Sequence, residues 1–181
     1  MTKFPKSITF LFDCLPSFQE GYLDVGNGHK IYYEQYGNPN GKPVLFLHGG
    51  PGAGFSNSHK AFFDSKIFRV IFFDQRGSGR SIPYAETDNN NTESLISDIE
   101  RLRVFLKIEN WYLFGGSWGS TLALLYGIYF PQRCLGFILR GIFLGTIDEI
   151  NWFLYDIRKF FPDLSNLFLS HISSVTKGIN G

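Results

Sequence analysis

Four apolar runs that each end at glycine constrain this chain more than any other feature. "PVLFLHGG", "FRVIFFDQRGSG", "WYLFGG" and "CLGFILRG" are continuous in hydrophobicity, without alternation. That is the pattern of a strand covered on both faces. Helical patterns lie between them. Leu95, Ile99, Leu102 and Leu106 recur at helical spacing, with Thr92 as the expected N-cap. "SWGSTLALLYGIYF" continues directly from the third run and is expected to stop near Pro131. Upstream, "YLDVGNGHKIYYEQYGN" reads as two strands joined at Asn27-Gly28, a dipeptide suited to a tight hairpin. Strands alternating with helices predict an α/β class fold, a mostly parallel sheet with helices on both faces. Functional residues in such sheets gather at the carboxyl ends of the strands. Three glycine-rich segments fall there, at residues 49–54, 75–79 and 115–119.

The chain has 181 residues, enough for one sizeable core. Apolar residues make up 44% and charged residues 18%, a globular balance. The net charge of +1 gives no basis for expecting nucleic acid as a partner. Aromatic residues are abundant, with 20 Phe and 9 Tyr, enough for the core and for an aromatic-lined pocket. Cys14 and Cys134 form neither a disulfide framework nor a metal-ligand spacing, so a reducing, cytoplasmic setting is the simpler expectation. The N-terminal run from Ile8 to Phe12 stops at Asp13 without a small-residue cleavage site, and no apolar run is long enough to span a bilayer. No membrane association, metal or cofactor is expected. The strand–helix pattern occupies residues 1–141. Residues 142–181 are helical and aromatic, with no further buried strand.

Gly115, Ser117 and Gly119 satisfy G-x-S-x-G between a predicted strand and a predicted helix. That context is what the motif requires of a nucleophile, whose hydroxyl a sharp turn holds above the sheet. The flanking glycines let strand and helix fold back without collision. The helix N-terminus favours negative charge. The alternative is a glycine-rich turn that only packs. "HGGPGAG" lacks the Lys-Ser/Thr ending of a phosphate loop. It is placed to donate backbone N–H groups to an oxyanion, with Gly50 as one donor and Trp118, after the serine, as the other. His48 is expected to brace its loop. In "DQRGSGRS", Asp74, Arg76 and Arg80 are expected to form a loop-bracing ion pair.

"LDVGNGHKIYYEQYGNPNGKPVLFLHGGPGAG", "FFDQRGSGRS" and "FGGSWGSTLALLYG" together resemble the proline iminopeptidases of the α/β-hydrolase fold. "LRGIF", a following Trp and "FFPD" extend the resemblance into that family's helical cap, so that it covers residues 21–163. The resemblance implies a serine aminopeptidase (prolyl aminopeptidase) that releases N-terminal proline from small peptides. It implies Ser117 as nucleophile and the Gly50 and Trp118 N–H groups as oxyanion hole. It places Phe143 in the apolar proline pocket, with plain core packing as the competing reading. Residues 142–181 become the start of the cap and a tail.

The chain departs from the pattern downstream of Ser117. The fold needs an acid and then a histidine after the nucleophile, which the family places beyond the cap. Here the only later histidine is His171. The acids before it, Asp148, Glu149, Asp156 and Asp163, match no family motif. Three readings stay open: an N-terminal, truncated part of a proline-iminopeptidase-type enzyme, a non-catalytic remnant or binding module of the same fold, and a general esterase. The expectation for the isolated chain is little or no turnover. Its sheet is expected to end at the run from Cys134 to Leu139, leaving an edge open beside Phe137, Ile138 and Leu139. The sequence says nothing of oligomeric state.

Overall fold

The computed structural model describes residues 11–163, 166 and 167. The chain divides into two compact units, Met1–Ile142 and Phe143–Gly181. The first contains a six-stranded sheet. β1 (Gln19–Gly26) and β2 (His29–Gly37) form the expected hairpin. Its turn residues Asn27 and Gly28 take φ of 55° and 79°, the paired positive angles that a two-residue turn needs to follow the twist of its strands. β3 (Lys42–Leu47), β4 (Phe68–Phe73), β5 (Trp111–Gly116) and β6 (Cys134–Arg140) are the four apolar runs. The sheet order is β1-β2-β4-β3-β5-β6. The last four strands pair in parallel, and the hairpin joins β4 antiparallel. The sheet is thus mostly parallel, as the strand–helix alternation predicts.

α1 (Thr92–Phe105) and α2 (Trp118–Tyr129) connect β4 to β5 and β5 to β6. The N-cap of α1 is Asn91, one residue before the expected Thr92. Its backbone is still extended, and its side chain accepts from the Ser94 N–H at 2.9 Å. Thr92 is already helical, so its hydroxyl cannot take the cap position. α2 ends just before Pro131, which opens a single 3₁₀ turn.

Side chains alternate across each strand, and the two faces build separate cores. On one face Leu45, Leu47, Ile71, Leu113 and Trp111 pack against Ile99 and Leu102 of α1 and Leu122 and Tyr126 of α2. Each such fully buried side chain contributes about 1.5–3 kcal/mol. The other face is aromatic. Tyr36, Phe46, Val70 and Phe72 pack with Phe55 and Phe63 around the short helical turn Asn57–Phe62. Among the described residues β1 and β6 are the two edge strands, and Phe137 and Ile138 on β6 are 43% and 47% exposed. Leu139, expected to be exposed with them, is half-buried against the α1–α2 core.

In the second unit, α3 (Ile147–Asn151) is opened by a reciprocal cap. Glu149 Oε2 accepts from the N–H groups of Leu144 and Thr146, while Thr146 Oγ1 accepts from the Glu149 N–H. A π-helical turn (Trp152–Asp156) and a 3₁₀ turn (Ile157–Lys159) follow. Trp152, Phe153, Phe160 and Phe161 are exposed. Among the described residues no helix is long and apolar enough to cross a membrane.

Candidate active site

β5 runs directly into α2, and Ser117 is the single residue between them. Its backbone sits at φ 53° and ψ −123°, outside the ordinary regions for a residue with a Cβ. This conformation aims the side chain away from the sheet, and Ser117 is exposed although both neighbouring elements are largely buried. The turn is held from both sides: Ser117 N–H donates to the Arg140 carbonyl at 3.1 Å, and its carbonyl accepts from the Ser120 N–H at 2.8 Å.

The glycines of the motif are required by contact. A Cβ on Gly115 would overlap the Gly119 carbonyl oxygen, and one on Gly119 would overlap the Leu47 carbonyl oxygen. α2 therefore starts in backbone-to-backbone contact with β5 and with the end of β3. Trp118 is the first helical residue, so its N–H is among those a helix cannot satisfy internally. Gly49 also lies against this corner, where an added Cβ would stand 3.3 Å from Ser117 Cβ. Gly50 follows at φ 119°, in a turn so tight that a Cβ would come within 2.5 Å of the Gly52 nitrogen.

Three loops meet here, and Gln75 joins them. The Gln75 backbone N–H donates to His48 Nε2 at 3.0 Å, and its side-chain Nε2 donates to the His48 carbonyl at 3.0 Å. Its Oε1 accepts from the Trp118 indole N–H at 3.1 Å. His48 is buried, and its Nδ1 lies 2.9 Å from the Gly49 carbonyl. These partners select the neutral tautomer with the proton on Nδ1. Burial pushes the imidazole below its usual range, and the Gly49 carbonyl and the Asp74 charge oppose that without reversing it. Both ring nitrogens are thus committed to the loops.

Asp74 adds a second tie. Its fully buried carboxylate accepts from the Phe55 N–H at 2.8 Å and from the Arg80 N–H and Nε at 2.9 and 2.8 Å. Gly79 has no room for a Cβ because that carboxylate fills the space. Arg80 is stacked between the rings of Tyr32 and Phe55, 4.2 and 4.0 Å from their centroids. It also reaches Glu34, which pairs with Lys60 at 2.8 Å. Burial pushes the Glu34 carboxyl up, but hydrogen bonds from Lys60 and Ser17 outweigh it and hold the group below its usual range. Arg76 does not join Asp74. It pairs with buried Asp98 across two contacts of 2.5 and 2.8 Å, which fastens the loop to α1.

Ser117 and Trp118 therefore stand at one corner, beside the segment that carries Gly50. Phe143 begins the second unit. His171 lies outside the described residues. Within the second unit, Glu149 is occupied in the cap of α3, and Asp156 pairs with Lys159 at 2.8 Å. Among the described residues no side chain hydrogen-bonds Ser117 Oγ. Gln75 was missed from the sequence. Its only signal there is its place, directly after a strand in a glycine-rich loop.

A parallel sheet with a glycine-flanked serine at a strand–helix corner defines a class, and the comparison with known families agrees. Residues 42–178 match the α/β hydrolase fold model, and the chain belongs to that family. It is 53% identical over 163 residues to a probable proline iminopeptidase of Leptolyngbya boryana, covering 90% of this chain and 51% of that protein. It is 45% identical over 168 residues to a proline iminopeptidase of Xylella fastidiosa, covering 92% of this chain and 54% of the relative. A solved proline iminopeptidase-related protein from Thermus thermophilus superposes with a TM-score of 0.59 at 33% identity, over 67% of this chain and 43% of that one. The resemblance read from the motifs is thus borne out, and the chain spans about half the length of the curated relatives it matches.

Proposed function

We propose that this chain carries the nucleophile and oxyanion elements of a serine aminopeptidase that releases N-terminal proline from small peptides. The observation that carries the reading is the backbone of Ser117, held at φ 53° between β5 and α2 by glycines that leave no room for a side chain. Strain of this kind costs about 1–3 kcal/mol and persists where surrounding structure enforces it. The names of the relatives supply the substrate class.

In this reading Ser117 Oγ attacks the carbonyl of an N-terminal prolyl residue, and a base takes its proton. The carbonyl oxygen becomes an oxyanion that the N–H groups of Gly50 and Trp118 stabilise. Losing one such donor typically costs about 10²–10³ in rate. The tetrahedral species collapses with departure of the peptide amine, which receives the proton, and water then releases proline from the serine ester. Phe143 would contribute to an apolar pocket for the pyrrolidine ring, and the second unit would begin a helical cap. No step calls for a cofactor or metal, and the setting proposed is cytoplasmic. The second reading is a non-catalytic module of the same fold, in which the tight glycine contacts at the Ser117 corner serve packing alone.

The test compares hydrolysis of prolyl, alanyl and leucyl chromogenic amides and of a simple aryl ester. It uses the chain alone and the chain fused to the stretch of the Leptolyngbya boryana relative that has no counterpart here. Prolyl-selective turnover by the fusion, abolished by Ser117→Ala, is expected, with little turnover by the chain alone. Ester cleavage without amide cleavage would favour a general esterase. A fusion that folds and shows no Ser117-dependent turnover would leave the non-catalytic module. Robust Ser117-dependent turnover by the chain alone would bring His171 forward as the base.

A further inference from the structure

We infer that Arg80 is a positioning residue for the Gly50 N–H, acting through its grip on Phe55 at the far end of the same loop. This rests on the reading above, in which that N–H is an oxyanion donor.

The loop from Gly49 to Gly54 has little of its own to hold it in shape. Four of its six residues are glycine, the residue type with the most backbone freedom to lose. Gly50, Gly52 and Gly54 take φ of 119°, 91° and 73°. The backbone bond inside the loop, from the Ala53 N–H to the Gly49 carbonyl, is long at 3.4 Å. Its ends must therefore fix it. The leading end is His48, tied to Gln75. The trailing end is Phe55, where three contacts close a ring. The Phe55 N–H donates to Asp74 Oδ1 at 2.8 Å, Arg80 Nε donates to Asp74 Oδ2 at 2.8 Å, and Arg80 Nη2 donates to the Phe55 carbonyl at 3.3 Å. Both backbone polar groups of Phe55 are thus engaged, and the same guanidinium lies 4.0 Å from the centroid of its ring. Gly54 sits against the ring too, where a Cβ would stand 3.1 Å from Asp74 Oδ1.

The shape of the guanidinium is what makes one side chain sufficient. Its three nitrogens reach three places: Nε meets Asp74 just past β4, Nη1 meets Glu34 on β2 at 3.0 Å, and Nη2 meets the loop. Two carboxylates and the rings of Tyr32 and Phe55 hold its plane, so Phe55 is fastened to the sheet. A lysine brings one nitrogen and no plane, and cannot serve all three partners at once. An oxyanion donor acts only at about 2.7–3.1 Å from the developing charge. A displacement of about 1 Å far from the chemistry can cost on the order of a hundredfold in rate. With Phe55 released, the glycines between it and Gly50 would pass such a displacement back to the donor.

The experiment compares Arg80→Lys and Arg80→Gln with the parent and with Arg69→Gln. Arg69 lies at the opposite end of β4, where it donates to Gln35 Oε1 at 2.8 Å and to the Leu106 carbonyl at 3.2 Å. Folding should survive both Arg80 changes, because Asp74 keeps the N–H groups of Phe55 and Arg80 and Glu34 keeps Lys60. Circular dichroism checks that. On the full chain, ¹⁵N relaxation should give Gly50 and Gly52 order parameters near about 0.85 in the parent and Arg69→Gln, and below about 0.6 in both Arg80 variants. In the fusion described above, both Arg80 variants should lower kcat for the prolyl amide by about ten- to a hundredfold with KM within about threefold. Arg69→Gln should leave kcat unchanged, although it too removes side-chain hydrogen bonds. Unchanged order at Gly50 in both Arg80 variants would overturn the inference. So would full rescue of kcat by Arg80→Lys, or an equal loss of loop order in Arg69→Gln. A fusion without Ser117-dependent turnover would sink the proposed activity instead, and the relaxation measurements on the full chain would still decide whether Arg80 fixes Gly50.

Discussion

The indole N–H of Trp118 donates to Gln75 Oε1 at 3.1 Å, and through that bond the residue after the serine is tied to a loop 43 positions earlier. The same Gln75 amide donates to the His48 carbonyl at 3.0 Å. One side chain thus holds the ends of β3, β4 and β5 in register above the sheet. A helix N-terminus can present its N–H groups in a fixed direction only if the turn before it is held from outside.

Replacing Gln75 with Leu removes both side-chain bonds and leaves the Trp118 indole and the His48 carbonyl without these partners. We expect a loss of about 1–3 kcal/mol in stability, read as a lower urea midpoint at unchanged m-value. The fluorescence of Trp118 should change in the folded state as well, because the indole loses its acceptor. An unchanged midpoint would show that water replaces Gln75 at no cost.

The corner serine yields a comparison between two small substitutions. Ser117→Ala keeps a Cβ at φ 53°, so its stability should stay near the parent. Ser117→Gly relieves strain of about 1–3 kcal/mol and gives back about 0.4–1 kcal/mol through the more flexible unfolded chain. Ser117→Gly should therefore unfold at a higher temperature than Ser117→Ala, by about 1 kcal/mol in free energy. Equal melting temperatures would mean that the backbone here is not strained.

Gly119→Ala drives a Cβ into the Leu47 carbonyl oxygen, with the His48 carbonyl oxygen at 3.0 Å. Both obstacles are backbone, which cannot rotate aside. The expected cost is about 1–3 kcal/mol or more. Gly136→Ala on β6 is the control. There the new Cβ meets only the Tyr112 ring at 3.3 Å, and a side chain can yield, so a change within about 0.5 kcal/mol is expected. Chemical denaturation of the two variants checks the contrast.

Acid should loosen the loops through Glu34. Its carboxyl titrates below the usual 4.5 in the folded chain because Lys60 and Ser17 hold the charged form more strongly than burial opposes it. The unfolded chain therefore binds the proton first as pH falls. The stabilisation is complete above about pH 4.5 and is lost as pH drops through the folded-state value. Glu100, held down by Arg103 and Tyr126 against its own burial, adds a contribution of the same sign. Glu34→Gln should flatten the decline of stability between pH 5 and 3 (on the order of the carboxylate titration range). Denaturation midpoints across that range test it, and an equally steep decline in Glu34→Gln would remove Glu34 as the cause.

Residue pattern alone determined the strand and helix positions and the corner that carries Ser117. Continuous apolar runs, helical periodicity and glycine are local signals, because they record how each segment meets its immediate surroundings. The Asn27-Gly28 hairpin and the termination of α2 before Pro131 were legible for the same reason. The N-cap of α1 was placed one residue late because Asn91 and Thr92 are both polar, and only backbone angles separate them. Tertiary structure decided the pairings between distant side chains. Arg76 and Arg80 lie four residues apart in one loop, yet one reaches Asp98 on α1 and the other Asp74 and Glu34. Gln75 is indistinguishable in sequence from a surface loop glutamine. Its role exists only because the parallel order of β4, β3 and β5 brings three strand ends within hydrogen-bond reach, and that order is set by long-range packing, which no local pattern encodes.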